Sequence, residues 1–517
     1  MSEIFELAPR LAWLIPLLPL LGAAGIVLRI LAGHDKGDLA EPPSARIAIY
    51  CSGGALLLLL GLDILALSHG VPKHVLSGIW FSSGSVVLPI SFTLDALSLP
   101  IATLVAFIAT LTLIFSRNYL HRELGFHRFF LAMCLFTAGM LLIVLAGNVA
   151  LTFAGWELAG ISSWMLIGYA YDRHTATVNA LRAIITNRIG DAGFILGISL
   201  ALIWVGTVEW PTLLHANQLG TLSAGLLSLG FVVAALVKSA QLPFSPWIAR
   251  ALEGPTPSSA IFYGALMVHA GVYLLIRMEP LLSQAPALMS LIAVLGLLTA
   301  LYGYFSGLTQ TDIKSSLMFA TTTQVGLMFF ACGMGWFTVA AWHLGLHASW
   351  RAYQFLASPS YMQLMGGPTR PAPAWLRDRN QLYTAALQRF WLEHVGDWLL
   401  VRPTHQMARD VRNLDDNVIS RLVGLPESAG VPAFLMASGE EMNRDEILRG
   451  SGLAGAILEW LALKLHRFES RLLLQGGDSR LGRMLKRIGN YLMALEGLLS
   501  QPRYLLLLIM ATLVVIL

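Results

Sequence analysis

Twelve apolar stretches of roughly twenty residues leave this 517-residue chain few ways to fold. They run over 11–32, 46–68, 93–116, 129–146, 148–171, 184–205, 222–241, 258–278, 286–304, 313–334, 337–358 and 501–517. A helix rises 1.5 Å per residue, so about twenty apolar residues span a bilayer's hydrocarbon core. The rest of the composition agrees: 56% hydrophobic, 12% charged and a mean hydropathy of +0.67, against about 25% charged residues in soluble chains. The expectation is an all-α polytopic membrane protein of about 12 transmembrane helices. Cys51, Cys134 and Cys332 each fall inside an apolar run without metal-ligand spacing and read as small core residues. The basic residues form no single patch, so a nucleic-acid partner is not expected. The N-terminal MSEIFELAPR is mixed in charge and leads into a full-length helix, unlike a cleavable signal.

Lys and Arg set the orientation. With the N-terminus outside, the inner connections hold Lys36, Arg46, Arg117, Arg122, Arg128, Arg173, Arg182 and Arg250, whereas the outer ones hold little beyond Lys73 and Arg277. The chain divides into N-terminal helices and an outer loop (1–92), a core (93–358), a segment 359–500 and a last span (501–517). Residues 69–92, rich in Gly, Ser and β-branched residues, predict a hairpin or loop outside the membrane. Segment 359–500 carries 17 of the 34 Lys and Arg and falls on the cytoplasmic side, its amphipathic repeats suiting helices on a membrane surface or against a partner. A small self-packed cap is the alternative.

Within the core, an apolar helix runs to Lys238 and meets Pro243 and Pro246. Proline removes a backbone donor and breaks a helix, and in hydrocarbon the freed groups need other partners. An ionisable residue beside such a break is a functional candidate; a lysine snorkelling to the interface is the bland reading. Glu157, in another apolar run, needs a cation to stay charged there. Lys238 is the natural partner, the two forming either a proton-handling pair or a packing salt bridge.

Further along come His269 in the middle of its span and Lys314 at the start of another. His343, His347 and Arg351 lie at i, i+4 and i+8 on one helix face. Imidazoles relay protons near neutral pH, and the i,i+4 histidines lack a third metal ligand. The ionisable series Glu157, Lys238, His269, Lys314, His343, His347 and Arg351 reads as a hydrated charge path, although each residue alone is open to a structural role. No phosphate loop or nucleophile–base motif marks the chain as an enzyme.

The segments WELAGISSWMLIGY, VKSAQLPFSPWIARALEGPTPSSA, MVHAGVYLL, QTDIKSSLMFATTTQVGLMF and AWHLGLHASWRAYQFL resemble the antiporter-like subunits of respiratory complex I and Mrp-type sodium/proton antiporters, over roughly residues 90–358. FWLEHVGDWLLVRPTHQMARDVRNLDDNVISRLVG is similar to the tail of that family's largest subunit. The resemblance implies a proton-handling pair at Glu157 and Lys238, and a central hydrophilic axis through Lys314, His343 and His347. Two departures stand out. Arg351 replaces a lysine and cannot release its proton, and no second broken, lysine-bearing helix follows residue 358.

The shortened form resembles the membrane (DabB-type) subunit of two-component DAB inorganic-carbon transporters. That implies proton or Na⁺ flow driving a peripheral zinc β-carbonic-anhydrase-like partner (DabA), with zinc on the partner and no cofactor in this chain, in a bacterial inner membrane. The alternative is an ion-translocating subunit of a complex I-like, hydrogenase or Mrp assembly. A third reading, a non-conducting anchor whose tail docks a soluble protein, makes the buried charges purely structural.

Overall fold

The computed structural model describes residues 9, 11–70, 74–84, 86–215, 219–364 and 371–414. The chain forms two compact units, residues 1–398 and 399–517. In the first, α1 (Leu14–Leu31) and α2 (Glu41–His69) precede a hairpin of β1 (Val75–Ser83) and β2 (Val86–Phe92). Then come α3 (Ser98–Tyr119), α4 (Phe126–Leu145), α5 (Val149–Ile167), α6 (His174–Trp204), α7 (Thr221–Lys238) and the short α8 (Pro246–Arg250). An irregular span, Thr256–Arg277, leads to α9 (Pro286–Gly307), α10 (Ile313–Gly333) and α11 (Phe337–Leu364). The second unit contributes α12 (Arg402–Leu414) to the described residues.

Ten of these helices are long and apolar enough to cross a membrane, and they coincide with the first ten expected spans. Among the described residues, ten of the twelve expected spans meet this criterion. The eleventh expected span is a helix, α11, but His343, His347, Arg351 and Gln354 along it lower its hydropathy below that of the ten. The twelfth, 501–517, and most of segment 359–500 lie outside the described residues.

Successive helices alternate in direction, so each charged connection falls at one of two ends. At one end Arg122 pairs with Asp38 and Arg173 with Glu253; Arg182 pairs with Asp397 and Arg250 with Glu393. At the other, His74 pairs with Glu209 and Arg277 with Asp95. The arginine-rich end is the one that residue counting places inside.

Without a hydrophobic force between helices in lipid, close approach does the packing. A Cβ at Gly230 would lie 2.5 Å from the Gly193 carbonyl oxygen, and one at Gly155 2.6 Å from that of Gly139, so α7 meets α6 and α5 meets α4 backbone to backbone. Cys51 and Cys134 both flank Gly22 and are free thiols.

The expected hairpin forms, with Val75 opposite Phe92, and it anchors the start of α5. Asn148 caps that helix by accepting from the Leu151 amide at 2.8 Å, while its own amide donates to Pro89 O and Ser91 Oγ. An asparagine in this position satisfies one of the orphan helix donors.

Candidate functional site

The break after α7 is where the chain departs most from regular helix. Lys238 ends α7, Ala240 takes φ +51°, and the Leu242–Pro243 peptide is cis. Several of the freed backbone groups find protein partners, which hydrocarbon favours. Val237 O accepts from Ala240 N at 3.1 Å and from the Trp247 indole at 3.0 Å; Leu236 O accepts from Gln241 N at 2.8 Å. Leu242 N donates to Thr299 Oγ1 at 3.0 Å. Pro246 opens α8 at the first turn, where a missing N–H costs nothing.

Lys238 is 1% exposed. Its Nζ donates to Trp156 O at 3.2 Å and lies 5.0 Å from the Trp156 ring centroid, a cation–π arrangement. The direct ion pair expected between Glu157 and Lys238 is not formed. Glu157 Oε2 instead pairs with Arg188 Nη2 at 2.7 Å, and Arg188 Nε reaches Asp191 Oδ2 at 2.9 Å. A guanidinium has five donors in a fixed fork, so it can hold two carboxylates at once. Lys238 stays within the electrostatic reach of both Asp191 and Glu157. The result is a four-member cluster of two cations and two carboxylates, around the middle of α6.

Arg188 and Asp191 were missed by the sequence reading. Their signal was present: an Arg and an Asp at i,i+3 inside the apolar run 184–205. Gly160 completes the cage, since a Cβ there would lie 3.2 Å from Lys238 Nζ.

The second cluster lies where the span Thr256–Arg277 is irregular. A π-helical turn, Ala260–Ala265, passes into a 3₁₀ turn, Met267–His269, before α-helix resumes at Ala270. Such turns commonly mark functional sites. His269 Nε2 lies 3.0 Å from His347 Nδ1, and His347 Nε2 lies 3.4 Å from Arg351 Nη2. His343 is held separately by Gln324, at 2.9 Å, beside a recess of about 250 Å³ lined in part by Ser316, Thr323 and Gln324.

The two clusters meet through α7 and the resumed helix: a Cβ at Gly271 would lie 2.3 Å from Ser239 Oγ. Ser239 Oγ, Gln241 Oε1 and Ser245 Oγ at the break are buried without a protein hydrogen-bond partner.

Lys314 is not brought into either cluster. It sits half-buried in the first turn of α10, just after Asp312, which caps that helix through Ser315 N at 2.8 Å. Outside the spans, burial opposes the charge on Asp95, yet hydrogen bonds and charge from Arg277 hold its carboxyl below the ordinary value. Burial pushes Glu209 the other way, up, against Ser91 and His74. Glu393, despite burial, is held low by Arg250 and Arg389.

Fold and site together define an antiporter-like membrane bundle with a lysine at a broken helix. Residues 146–370 match the family model described as NADH:quinone oxidoreductase/Mrp antiporter, transmembrane region. Residues 80–130 match that of the NADH-ubiquinone oxidoreductase (complex I) chain 5 N-terminus. The chain is 36% identical to NAD(P)H-quinone oxidoreductase chain 5 of Synechocystis sp. over 382 residues, 72% of this chain and 56% of that one. It is 30% identical to the chloroplastic subunit 5 of Anthoceros angustus over 474 residues, 89% and 59% of the two chains. A solved structure of the Mrp complex from Dietzia sp. aligns with a TM-score of 0.56 at 25% identity, over 68% of this chain and 36% of that one. The chain therefore belongs to the complex I/Mrp antiporter-like membrane-subunit family, and it spans little more than half the length of the curated relatives it matches.

Proposed function

We propose that this chain is an ion-translocating subunit of a larger membrane assembly of the complex I or Mrp type, moving protons or Na⁺. The observation that carries this reading is the buried Lys238 at a helix break, next to two carboxylates that share one arginine. An amine in that setting has a protonated and a deprotonated state, each with its own source of stabilisation. Protonated, it is held by Trp156 O, the Trp156 ring and the field of Asp191 and Glu157; deprotonated, it relieves the cost of burying an ion. A change of charge on either carboxylate, or a shift of Arg188 between them, tips that balance, so proton release is coupled to the cluster.

Arg188 is 47% exposed on the bundle flank. A half-exposed guanidinium at membrane depth is costly against lipid, which supports a neighbouring membrane subunit on this side. The relatives named above are themselves subunits of such assemblies by their names.

The test is ion flux in proteoliposomes bearing the chain with its co-purifying subunits, read with a pH-sensitive fluorophore. Lys238→Ala is expected to abolish flux and Asp191→Asn to reduce it strongly, with assembly intact. Flux equal to the parent in both would reject the reading.

A second reading keeps the same membrane chemistry but places its output elsewhere: a DAB-type inorganic-carbon accumulation complex with a zinc β-carbonic-anhydrase-like partner. What supports it is the sequence after the family match ends at residue 370, which is amphipathic and repeats no lysine–proline break. Zinc content of the co-purified complex, together with bicarbonate uptake, discriminates the two.

A further inference from the structure

Residues 389–398 cross the arginine-rich end of the first unit and bind both flanks of the Lys238 site. Arg389, Phe390 and Trp391 have φ of 51°, 54° and 54° in succession, left-handed conformations that non-glycine residues adopt only when their surroundings impose them. What imposes them is visible. The Phe390 ring packs against Tyr302 and Phe305, and the Arg389 guanidinium lies 5.5 Å from the Phe319 ring centroid.

Beyond this turn, Glu393 uses both carboxylate oxygens. One accepts from Arg250 Nε at 3.0 Å and also from its Nη2, and the other from Arg389 at 2.7 Å. Four residues on, Asp397 pairs with Arg182 at 2.8 Å. Arg250 ends α8, the helix that follows the break. Arg182 belongs to α6, six residues before Arg188.

We propose that Glu393 is a positioning residue for the Lys238 site: this strap holds α8 against α6 and keeps the helix break shut toward the arginine-rich end. The inference rests on the ion-translocating reading, for which a break sealed from one side is what prevents leak. Two features argue against a strap that merely covers surface. Both of its acidic residues engage arginines on the two elements that flank Lys238, and Gly396 packs on Pro246 of the break itself, where an added Cβ would lie 3.7 Å from Cγ. Charge-assisted hydrogen bonds of this kind are among the stronger non-covalent contacts.

The test places a reporter thiol in the break, Ser245→Cys, in a chain whose three native cysteines are replaced by alanine, within the assembled complex. Ser245 is fully buried, so a membrane-impermeant maleimide labels it slowly while the strap is seated. Glu393→Gln, which keeps the shape but removes the charge shared by two arginines, is expected to raise labelling by about tenfold or more, roughly the shift for one charge-assisted bond lost, and to add a passive proton leak. Glu393→Asp, which keeps the charge, is expected to restore slow labelling.

Unchanged labelling in Glu393→Gln overturns the proposal. So does faster labelling without any change in flux, which makes the strap a local cover only. Lys238→Ala runs alongside: if it leaves flux intact the ion-translocating reading fails, while the labelling result still reports on the strap.

Discussion

Gly160→Ala separates the chemistry of Lys238 from the stability of the fold. A Cβ at this position would stand 3.2 Å from Lys238 Nζ and 3.8 Å from Arg188 Nη2. The nearer contact is tighter than ordinary packing, and its far side is the tip of a flexible side chain. The ammonium therefore gives way, and it gives way from Trp156 O, which it holds at 3.2 Å. A hydrogen bond from a charged group contributes about 1.5–3 kcal/mol, which corresponds to roughly ten- to a hundredfold in an equilibrium. The methyl also takes the place of any water at the amine. On the other side of the balance, alanine is a better helix former than glycine by about 1 kcal/mol, and Gly160 lies well inside α5. The gain offsets only part of the lost hydrogen bond, leaving a net cost of about 0.5–2 kcal/mol, so the variant is expected to unfold slightly below the parent, while ion flux in proteoliposomes falls roughly ten- to a hundredfold. Flux equal to the parent's would refute the reasoning, because it would show that the seat of Lys238 on the Trp156 carbonyl has no bearing on transport.

Two further perturbations address the outer end. Asp95 is held below its ordinary value by Arg277, so its contribution to stability is present above the unfolded value of 3.8 and is lost as pH falls through the lower folded value; thermal denaturation in detergent should show a decline in acid that Asp95→Asn flattens. Asn148→Ala removes the α5 cap together with its bonds to Pro89 and Ser91 and is expected to cost about 1–2 kcal/mol, read as a lower thermal midpoint and faster amide exchange in β2.

Much of this architecture was legible because bilayer physics writes itself into sequence. Ten apolar runs became ten helices, and a lysine followed by two prolines became a broken one, since neither pattern has another low-energy outcome in hydrocarbon. Pairing was less legible. Glu157 and Lys238 are the conspicuous charges, and one-to-one matching joins them; the structure instead interposes Arg188, whose fork serves Glu157 and Asp191 together. Three-dimensional adjacency of α5, α6 and α7 decides that, through contacts such as Gly193 against Gly230 that depend on helix facing rather than on any local signal. The π-turn at Ala260–Ala265 was also hidden, because its residues have ordinary helical composition. Lys314 shows the converse: a charge that continues a series in sequence without joining either cluster in space.

Arg351 is better understood as an orienting group than as a link in a proton path. Arginine only donates and keeps its proton, so a neutral His347 accepts from it at Nε2 and carries its hydrogen on Nδ1. That hydrogen points to His269 Nε2, 3.0 Å away, which must then accept and leave His269 protonated at Nδ1. One fixed cation thereby sets the tautomer of two imidazoles, and both face the same way along the chain. His269 Nδ1, the donor at the end of this ordered pair, then faces the Ala265 carbonyl of the preceding π-helical turn. A lysine in place of Arg351 could lose its own proton and leave the pair without a defined direction; the guanidinium cannot. In the ion-translocating reading proposed above, the guanidinium therefore sets the direction of the histidine pair, and proton exchange would fall to the histidines and to Lys238.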